Sequence, residues 1–303
     1  MLPVLADNPS GLPLAKLLKN MKAFIGMGLL GANFVKAMLK KGEQVQVWNR
    51  TASRATALGA DGARAFAHIA DAVKGASRIH ITVKDDAAVN EVLAQMEPGL
   101  QKGAVIIDHT TTSAKGAVER TAAWKAKGYT YLHAPVFMGP QNALESTGYM
   151  LVSGDQDVIE SVKSELEQMT GKLINFGTEE GKAAGMKLVG NLFLIAFTAG
   201  IADTLALAKA QHIPISDVAA LFDSWNPGAM LPARLKKMTS NTFHQPTWEL
   251  NMARKDARLM VETAGDAQMP LAVIPAIAGV MDEWISKGFG AYDWTVIGKD
   301  AVS

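Results

Sequence analysis

The chain contains no cysteine, and this absence excludes disulfide bonds, thiol nucleophiles and zinc–thiolate sites. Its six histidines show no H-x-x-x-H or similar spacing, so we predict no metal site. An excess of charge of one sign is missing as well, because the formal net charge is only +1. No run of lysine or arginine creates a local excess of positive charge, so we expect neither a nucleic-acid partner nor binding to a membrane.

The first twenty residues carry no recognisable targeting signal. They contain Pro3, Pro9 and Pro13 but no arginine and no sustained apolar run, which fits neither a secretory signal nor a transit peptide. We interpret residues 1–20 as an N-terminal extension and expect a cytoplasmic protein. With 303 residues and 49% hydrophobic content, the chain can fill the cores of two domains.

The most informative stretch is a glycine-rich turn of the form G-x-G-x-x-G, between a short apolar segment and a helical pattern. Gly26 permits the tight turn, Gly28 lets the backbone approach a pyrophosphate, and Gly31 lets the helix pack closely on the strand. The diphosphate is expected at the free N–H groups of the helix start. The alternative is a purely structural turn. The predicted cofactor contacts here are Gly26, Met27, Gly28, Leu29, Leu30 and Gly31.

The end of the second apolar strand indicates which dinucleotide is preferred. An NAD site would place an acidic side chain here to bind the ribose 2′-hydroxyl. The chain instead has Asn49, Arg50 and Thr51, which we predict to contact the cofactor. Because the planar guanidinium of arginine suits a phosphate, we predict NADP, with NAD possible. The alternative is that Arg50 is only a solvated surface charge.

Strands and helices alternate from residue 21 to about residue 176, which predicts a doubly wound, mostly parallel sheet covered by helices on both faces. Ligands bind beyond the carboxyl ends of such strands. Residues at these ends are therefore candidates: Val83, Lys84, Asp85 and Thr110 for the cofactor, and Thr111 for the substrate. The predicted strands are Ala23–Gly26, Val45–Trp48, Ile79–Val83, Val105–Asp108, Thr130–Ala134, Met150–Ser153 and Leu173–Phe176.

The second half of the chain shows only helical patterns. A long helix is predicted from about residue 180 to residue 211, followed by helices at 216–223, 229–238, 248–264 and 271–287. Residues 188–208 are apolar enough to resemble a membrane span, but they include Asn191 and Asp203 and lack basic or aromatic flanks. We therefore interpret this helix as the centre of a soluble domain or a subunit interface, and predict a homodimer or homotetramer.

Lys187 and Asn191 lie four residues apart and so share one face of the long helix. A lysine held against an apolar wall loses its proton more easily than one in water. Such a lysine can donate a proton to a carbonyl oxygen as hydride arrives, or take it back in the reverse direction. On composition alone, a solvated surface lysine is the alternative.

Four motifs make the chain resemble the β-hydroxyacid dehydrogenases. They are the glycine turn, the segment Asp108-His-Thr110-Thr111, the pair Lys187-x-x-x-Asn191 with Gly181 upstream, and Lys255-Asp256. The resemblance implies an α/β Rossmann N-terminal domain plus an all-α C-terminal domain joined by a long helix, here residues 21–180 and 181–303. It also implies that Lys187 is catalytic, that Asn191 supports it, that Lys255 lies near the cofactor and that Asp256 lies at the substrate end.

One motif departs from the family pattern. The family loop D-x-P-V-S-G-G holds a substrate carboxylate with a serine hydroxyl and glycine N–H groups. This chain has His133-Ala-Pro-Val136-Phe137-Met138-Gly139-Pro140, which removes the hydroxyl and adds apolar bulk. Either backbone donors suffice and the substrate is unchanged, or the substrate is larger, more apolar or lacks a carboxylate. Val136, Phe137, Met138 and Gly139 are the predicted substrate contacts.

The combined prediction is an NADP(H)-dependent oxidoreductase of the EC 1.1.1 type. It transfers hydride between the nicotinamide and a small aldehyde or β-hydroxy acid, with Lys187 as general acid/base. The alternatives are an imine reductase-like enzyme, in which a lysine at this site would be unusual, and a non-catalytic NADP-binding oligomeric module.

Overall fold

The computed structural model describes residues 21–302, and the predicted extension at residues 1–20 lies outside them. A parallel sheet forms the centre of the first compact unit, which ends at Asn191. Its strands are β1 (Lys22–Ile25), β2 (Val45–Trp48), β3 (Arg64–Ala65), β4 (Arg78–Ile81), β5 (Val105–Asp108) and β6 (Thr130–His133). Their order in the sheet is β3-β2-β1-β4-β5-β6. The order reverses beside β1, and ligands of open α/β sheets bind at such a switch point.

Helices cover both faces of this sheet. They are α1 (Leu29–Lys40), α2 (Ala52–Thr56), α3 (Ile69–Val73), α4 (Asp86–Met96), α5 (Ala114–Ala126), α6 (Pro140–Glu145) and α7 (Gln156–Glu167). Successive side chains of a strand point to opposite faces, so Phe24 joins one buried cluster while Ala23 and Ile25 join the other. The predicted α/β architecture with two covered faces is therefore confirmed.

The prediction of one continuous sheet is wrong at its end. The last two predicted strands belong to a second sheet made of β7 (Val136–Phe137), β8 (Tyr149–Val152) and β9 (Lys172–Asn175), in that order. Pro135 has no N–H with which to continue the ladder of β6, and its carbonyl oxygen instead accepts from the Leu151 N–H at 2.9 Å. The two-residue strands β3 and β7 were not predicted because they are too short to show an alternating pattern.

From residue 182 onward the described elements are helical. They are α8 (Lys182–Ala210), α9 (Ile215–Ser224), α10 (Leu231–Thr239), α11 (Leu250–Asp266) and α12 (Ile274–Trp284), with short 3₁₀ or π turns at Pro227–Met230, Ile285–Phe289 and Trp294–Ala301. The predicted helix at 271–287 was too long at both ends. Pro275 fits the first turn of α12, and Gly288, with φ +90°, lies in the π turn that follows it.

The second compact unit begins at Leu192, inside α8, whereas the predicted domain boundary lies at residue 180. Within this unit Asp203 of α8 accepts backbone hydrogen bonds at the start of α12, from Ala272 and Val273 at 2.8 Å and from Ile274 at 3.0 Å. These bonds satisfy N–H groups that a helix start leaves without partners. An acidic side chain of α8 thus fixes the beginning of α12.

Helix α8 exposes much of its apolar surface in the single chain. Leu192 is 71% exposed and Ile195 69% exposed. By length and composition alone the helix could cross a membrane, and only 6% of its most apolar window is buried. Exposed apolar side chains are unfavourable in water, because burial is what stabilises the packing of apolar helices.

Candidate active site

The glycine turn after β1 is shaped by two very close approaches. Gly26 has φ +100°, and a Cβ there would lie 2.0 Å from the Thr82 carbonyl oxygen. A Cβ on Gly31 would lie 2.0 Å from the carbonyl oxygen of Gly26. A Cβ on Gly28, by contrast, would meet nothing within 4 Å. Gly26 and Gly31 are therefore required by the packing of the chain on itself, and Gly28 leaves open space at the start of α1.

That open space can receive an anion. Gly28 is the N-cap of α1, and no side chain caps the helix or places an acidic group in its first turn. A helix start of this kind offers free N–H groups and the positive end of the helix dipole, which fits the diphosphate of a dinucleotide. It opens into a cleft of about 630 Å³. The cleft is lined by Gly26, Gly28, Leu29, Leu30, Trp48, Asn49, Arg50, Thr51, Arg54, Thr82, Val83, Lys84, Asp85, Ala87, Ala88, Glu91 and Val92.

Asn49 holds two walls of this cleft together by hydrogen bonds. Its Oδ1 accepts from the Met27 N–H at 2.9 Å, and its Nδ2 donates to the Thr51 carbonyl oxygen at 2.9 Å. An aspartate could make the first bond but not the second, because a carboxylate has no N–H to donate. The amide therefore joins the glycine turn to the end of β2. The buried Met27 is positioned by this bond and does not line the cleft.

Two arginines face the same cleft. Arg50 is exposed and, among residues 21–302, makes no hydrogen bond or ion pair that would hold it elsewhere. Arg54 of α2 lines the cleft as well and was missed from the sequence. The signal for it was its position, four residues after Arg50 and in the first short helix after β2.

The far rim of the cleft is fixed by side chains at the ends of β4 and β5. The Thr110 hydroxyl accepts from the Val83 N–H at 3.1 Å and is only 1% exposed. Asp85 caps α4 by accepting from the Ala88 N–H at 2.9 Å, while Lys84 extends into solvent. Thr110 was predicted to touch the cofactor, but its hydroxyl is used to join the two strand ends.

Lys187 lies on the first turns of α8, within the first unit. Its Nζ donates to Asn191 Oδ1 at 3.0 Å, as the four-residue spacing predicts. The same Nζ lies 4.0 Å from the centroid of the Phe137 ring. Lys187 is only 7% exposed, and burial lowers the pKa of its ammonium group from 10.5 to about 8. The amine is thus able to gain or lose a proton near neutral pH.

The start of α8 is anchored by Ser153, which follows β8 and was also missed. Its hydroxyl accepts from the Ala183 N–H at 2.9 Å, one turn before Lys187. A Cβ on Gly181 would lie 2.7 Å from Val118 Cγ2, so the glycine lets the start of α8 approach α5. These two contacts fix the position of the start of α8, and therefore that of Lys187 one turn later.

Comparison with known proteins places this chain. The family model for the NAD binding domain of 6-phosphogluconate dehydrogenase matches residues 22–177, just over half of the chain. The chain belongs to the β-hydroxyacid dehydrogenase family. Residues 22–177 therefore form an NAD-binding domain, as the glycine turn predicts.

Among curated relatives of this β-hydroxyacid dehydrogenase family member is 3-sulfolactaldehyde reductase of Escherichia coli (strain K12). It is 28% identical over 281 residues, which cover 91% of this chain and 93% of the relative. Another is the cytokine-like nuclear factor N-PAC of Homo sapiens, 30% identical over 250 residues. That match covers 80% of this chain but only 44% of N-PAC, so the chain spans less than half the length of that relative.

Solved structures share the fold of this family member. The imine reductase from Myxococcus stipitatus in complex with NADP⁺ has a TM-score of 0.86 at 22% identity, covering 92% of this chain and 99% of that one. A reductive aminase from Aspergillus terreus in complex with NADPH4, cyclohexanone and allyl amine has a TM-score of 0.83 at 21% identity, covering 92% and 98%. At such low identity the likeness concerns the fold.

The loop that departs from the family pattern lies at β7. Val136 is buried, whereas Phe137 and Met138 are half-buried. Gly139 is exposed, and its N–H donates to Asn142 Oδ1 at 2.9 Å. A Cβ on Gly190 of α8 would lie 2.3 Å from the tip of the Phe137 ring. The ring is thus seated directly against the backbone of the helix that carries Lys187.

The family motif at the end of β5 rests on a buried polar network. Asp108 accepts from the Thr110 N–H at 2.9 Å and from the Tyr131 hydroxyl at 2.6 Å. Arg120 donates to the Tyr131 hydroxyl at 3.0 Å and to Asp86 Oδ1 at 2.8 Å. Burial and the neighbouring Asp108 raise the pKa of Tyr131 well above 10, so the phenol stays protonated. The network fixes the turn from which the exposed Thr111 projects.

His133 takes part in the same turn. Its Nε2–H donates to the Thr110 carbonyl oxygen at 2.8 Å, and the ring is 6% exposed. Burial lowers its pKa, so the ring is neutral at physiological pH. This geometry favours a structural role for His133 over a role as a second acid.

His109 lies in the core beneath α1, away from solvent. Its Nδ1–H donates to the Ala134 carbonyl oxygen at 2.8 Å, and its Nε2 lies 3.0 Å from His80 Nδ1. His80 Nε2 in turn lies 3.1 Å from Glu165. Burial, aided by the proximity of His80, lowers the pKa of His109 to about 3. His109 is therefore a buried, neutral residue whose hydrogen bonds connect neighbouring strands of the sheet.

Lys255 and Asp256 lie on α11 of the second unit. The Lys255 ammonium group is 2.9 Å from Asp256 Oδ1, and both side chains are well exposed, at 49% and 36%. Their predicted contacts with cofactor and substrate remain predictions.

Proposed function

We propose that the protein is an NADPH-dependent oxidoreductase that transfers hydride between the nicotinamide and a small aldehyde or hydroxy compound, with Lys187 as general acid/base. The observation that carries the proposal is the buried Lys187 amine, bonded to Asn191, with its pKa lowered to about 8. General acids work best when their pKa lies near the working pH. The relative 3-sulfolactaldehyde reductase, whose name specifies an aldehyde, supports this substrate class.

In this mechanism NADPH, when bound, supplies the hydride. Lys187 donates a proton to the carbonyl oxygen as the negative charge develops there, and takes it back in the oxidation direction. Asn191 accepts from the ammonium group and so orients its remaining protons. Burial of Lys187 by its neighbours keeps water from competing for that proton.

The experiment is to measure NADPH oxidation with a series of short aldehydes in the parent and in Lys187→Ala. Loss of the proton donor should lower turnover by about 100- to 10,000-fold and leave NADPH binding unchanged. Lys182→Ala is the matched control, because Lys182 lies on the same helix and pairs with Glu179 at the surface, at 3.5 Å. Turnover of Lys187→Ala near the parent level would rule the mechanism out.

We also propose a preference for NADP over NAD. Arg50 and Arg54 both line the cleft, and no acidic residue stands at the end of β2, where a ribose 2′-hydroxyl would be recognised. A 2′-phosphate would receive charge-assisted hydrogen bonds from the guanidinium groups.

For the exposed apolar surface of α8 we propose a second copy of the chain, in a homodimer or homotetramer. Asp203 lies in the same helix and binds three backbone N–H groups, an arrangement that a lipid-facing span would disfavour. Sedimentation should give a mass at least twice that of the single chain, and a monomer would contradict the proposal.

Imine reduction is a second candidate function. The Phe137 ring favours it when Lys187 is neutral, because the aromatic face that the ammonium group otherwise occupies can then bind the cation of a protonated imine. The fold shared with imine reductases agrees with this possibility. Consumption of NADPH with a cyclic imine, and not with any aldehyde, would select it.

A further inference from the structure

The loop at residues 136–140 offers little to hold a carboxylate. The side chain at 137 is an aromatic ring in place of a hydroxyl, and the Gly139 N–H is already bonded to Asn142 Oδ1. Pro140 has no N–H at all. A carboxylate leaving water for this loop would regain fewer hydrogen bonds than it loses, because residue 137 has no side-chain donor and neither Gly139 nor Pro140 has a free N–H.

The Phe137 ring also fills the space that a polar group would need. Its tip rests where Gly190 lacks a side chain, 2.3 Å from the position of an ideal Cβ. Any larger residue at 190 would therefore displace the ring. Phe137 and Gly190 form a complementary pair, one from the loop and one from α8, and this pair holds an apolar surface beside Lys187.

The ring further occupies one side of the Lys187 charge. The ammonium group lies 4.0 Å from the ring centroid, within the range of a cation–π interaction. A carboxylate could form an ion pair with the Lys187 ammonium group on this side only by displacing the ring. An uncharged group would instead pack against the ring and against the half-buried Met138.

We propose that Phe137 is a specificity-determining residue that selects carbonyl substrates with an uncharged, apolar group, and disfavours those with a carboxylate, at the end that contacts the loop. This assignment rests on the proposed function, since it names the substrate class of the same site. It decides between the two substrate alternatives that the altered loop leaves open.

The test compares 4-oxobutanoate with its methyl ester, which share the aldehyde end and differ at the far end, where the ester has an uncharged, slightly larger group in place of the carboxylate. The parent should reduce the ester with a kcat/KM at least about tenfold higher, because a lost charge-assisted hydrogen bond has about this effect. Phe137→Ser restores the hydroxyl and opens the space, and should shift the ratio toward the acid by about tenfold or more. Phe137→Leu is the matched control, which keeps apolar bulk and should keep the preference for the ester.

A second measurement does not depend on turnover. Succinate, which cannot be reduced, should not bind to the parent in the presence of NADPH by calorimetry, and should bind to Phe137→Ser. Preference of the parent for 4-oxobutanoate, tight succinate binding to the parent, or an unchanged ratio in a folded Phe137→Ser would each overturn the assignment while leaving the proposed function intact. Failure of the parent to reduce any carbonyl compound would count against the proposed function. The succinate result would then still show whether Phe137 excludes a carboxylate from the loop.

Discussion

The glycine turn at β1 and the Phe137–Gly190 pair both depend on a missing Cβ, but they use it in opposite ways. At Gly28 the space is open, with no atom within 4 Å of the position of a Cβ, and the prediction is that the diphosphate lies there. At Gly190 the space is filled by the chain's own aromatic ring. A glycine in a binding site can therefore serve either the ligand or a neighbouring side chain, and only the surroundings distinguish these uses.

Among variants that test this comparison, the largest effect is expected from adding a methyl group inside the turn at β1. Gly31→Ala would place a methyl group 2.0 Å from the Gly26 carbonyl oxygen, so the turn or α1 must move. We expect destabilisation of about 1–3 kcal/mol, as for overpacked cores, and an NADPH affinity lowered by on the order of 100-fold as the amides of the helix start shift. Thermal unfolding and NADPH titration measure the two effects.

Gly28→Ala is the matched comparison for that variant. Its methyl group would enter open space, so the melting temperature should stay within a few degrees of the parent while NADPH binding weakens. Equal losses of stability in the two variants would mean that Gly28, too, is needed for packing and is not kept open for a ligand.

The next effect separates the two dinucleotides. Arg50→Ala should weaken NADPH binding by about 10- to 100-fold, the effect of losing a charge-assisted hydrogen bond, and leave NADH binding nearly unchanged. Arg54→Ala should act in the same direction if both arginines contact the 2′-phosphate. Equal losses of affinity for NADPH and NADH would show that Arg50 shapes the cleft but does not bind the 2′-phosphate.

A smaller effect is expected on the side of the ring. Gly190→Ala should displace the Phe137 ring and, with it, the Lys187 amine that contacts the ring. We expect kcat/KM to fall by about tenfold, because a shift of a reacting group by less than about 1 Å already slows a reaction, and NADPH binding to remain intact. Gly185→Ala is the control on the same helix, because a Cβ there meets nothing within 4 Å. Similar losses in both variants would point to α8 as a whole and not to the ring.

The smallest effect is a shift in pH dependence. Lys187 acts in its protonated form during reduction, so the rate should fall as the pH rises through about 8, and the reverse reaction should rise over the same range. Phe137→Leu removes a contact that favours the ammonium form. The break should then move to lower pH by about half a pH unit, since a cation–π contact contributes about 0.5–1 kcal/mol. An unmoved break would mean that the ring does not act on the charge of Lys187.

The sequence predicted the parts of the molecule whose rules are local. The glycine spacing determines the turn and the start of α1, and the four-residue spacing of Lys187 and Asn191 determines their hydrogen bond. Parts that depend on distant residues could not be read in this way. The contact of Phe137 with Gly190 joins positions more than fifty residues apart, and the hydroxyl of Thr110 accepts from an N–H that follows another strand, β4.

The buried histidine beneath α1 ties folding to the proton concentration. An unfolded histidine takes up a proton near pH 6.5, whereas His109 in the folded chain does so only near pH 3. Unfolding therefore consumes a proton between these values, and the free energy of unfolding decreases as the pH falls from 6.5 toward 3. Burial acts to raise the pKa of Glu165, but its hydrogen bond with His80 and the charges of His80 and Lys22 outweigh burial and lower that pKa from 4.5 to about 2. As the pH falls below 4.5, the folded state therefore also loses the stabilisation that comes from the low pKa of Glu165. Both losses fall on the buried layer beneath α1, the helix whose start faces the predicted diphosphate site.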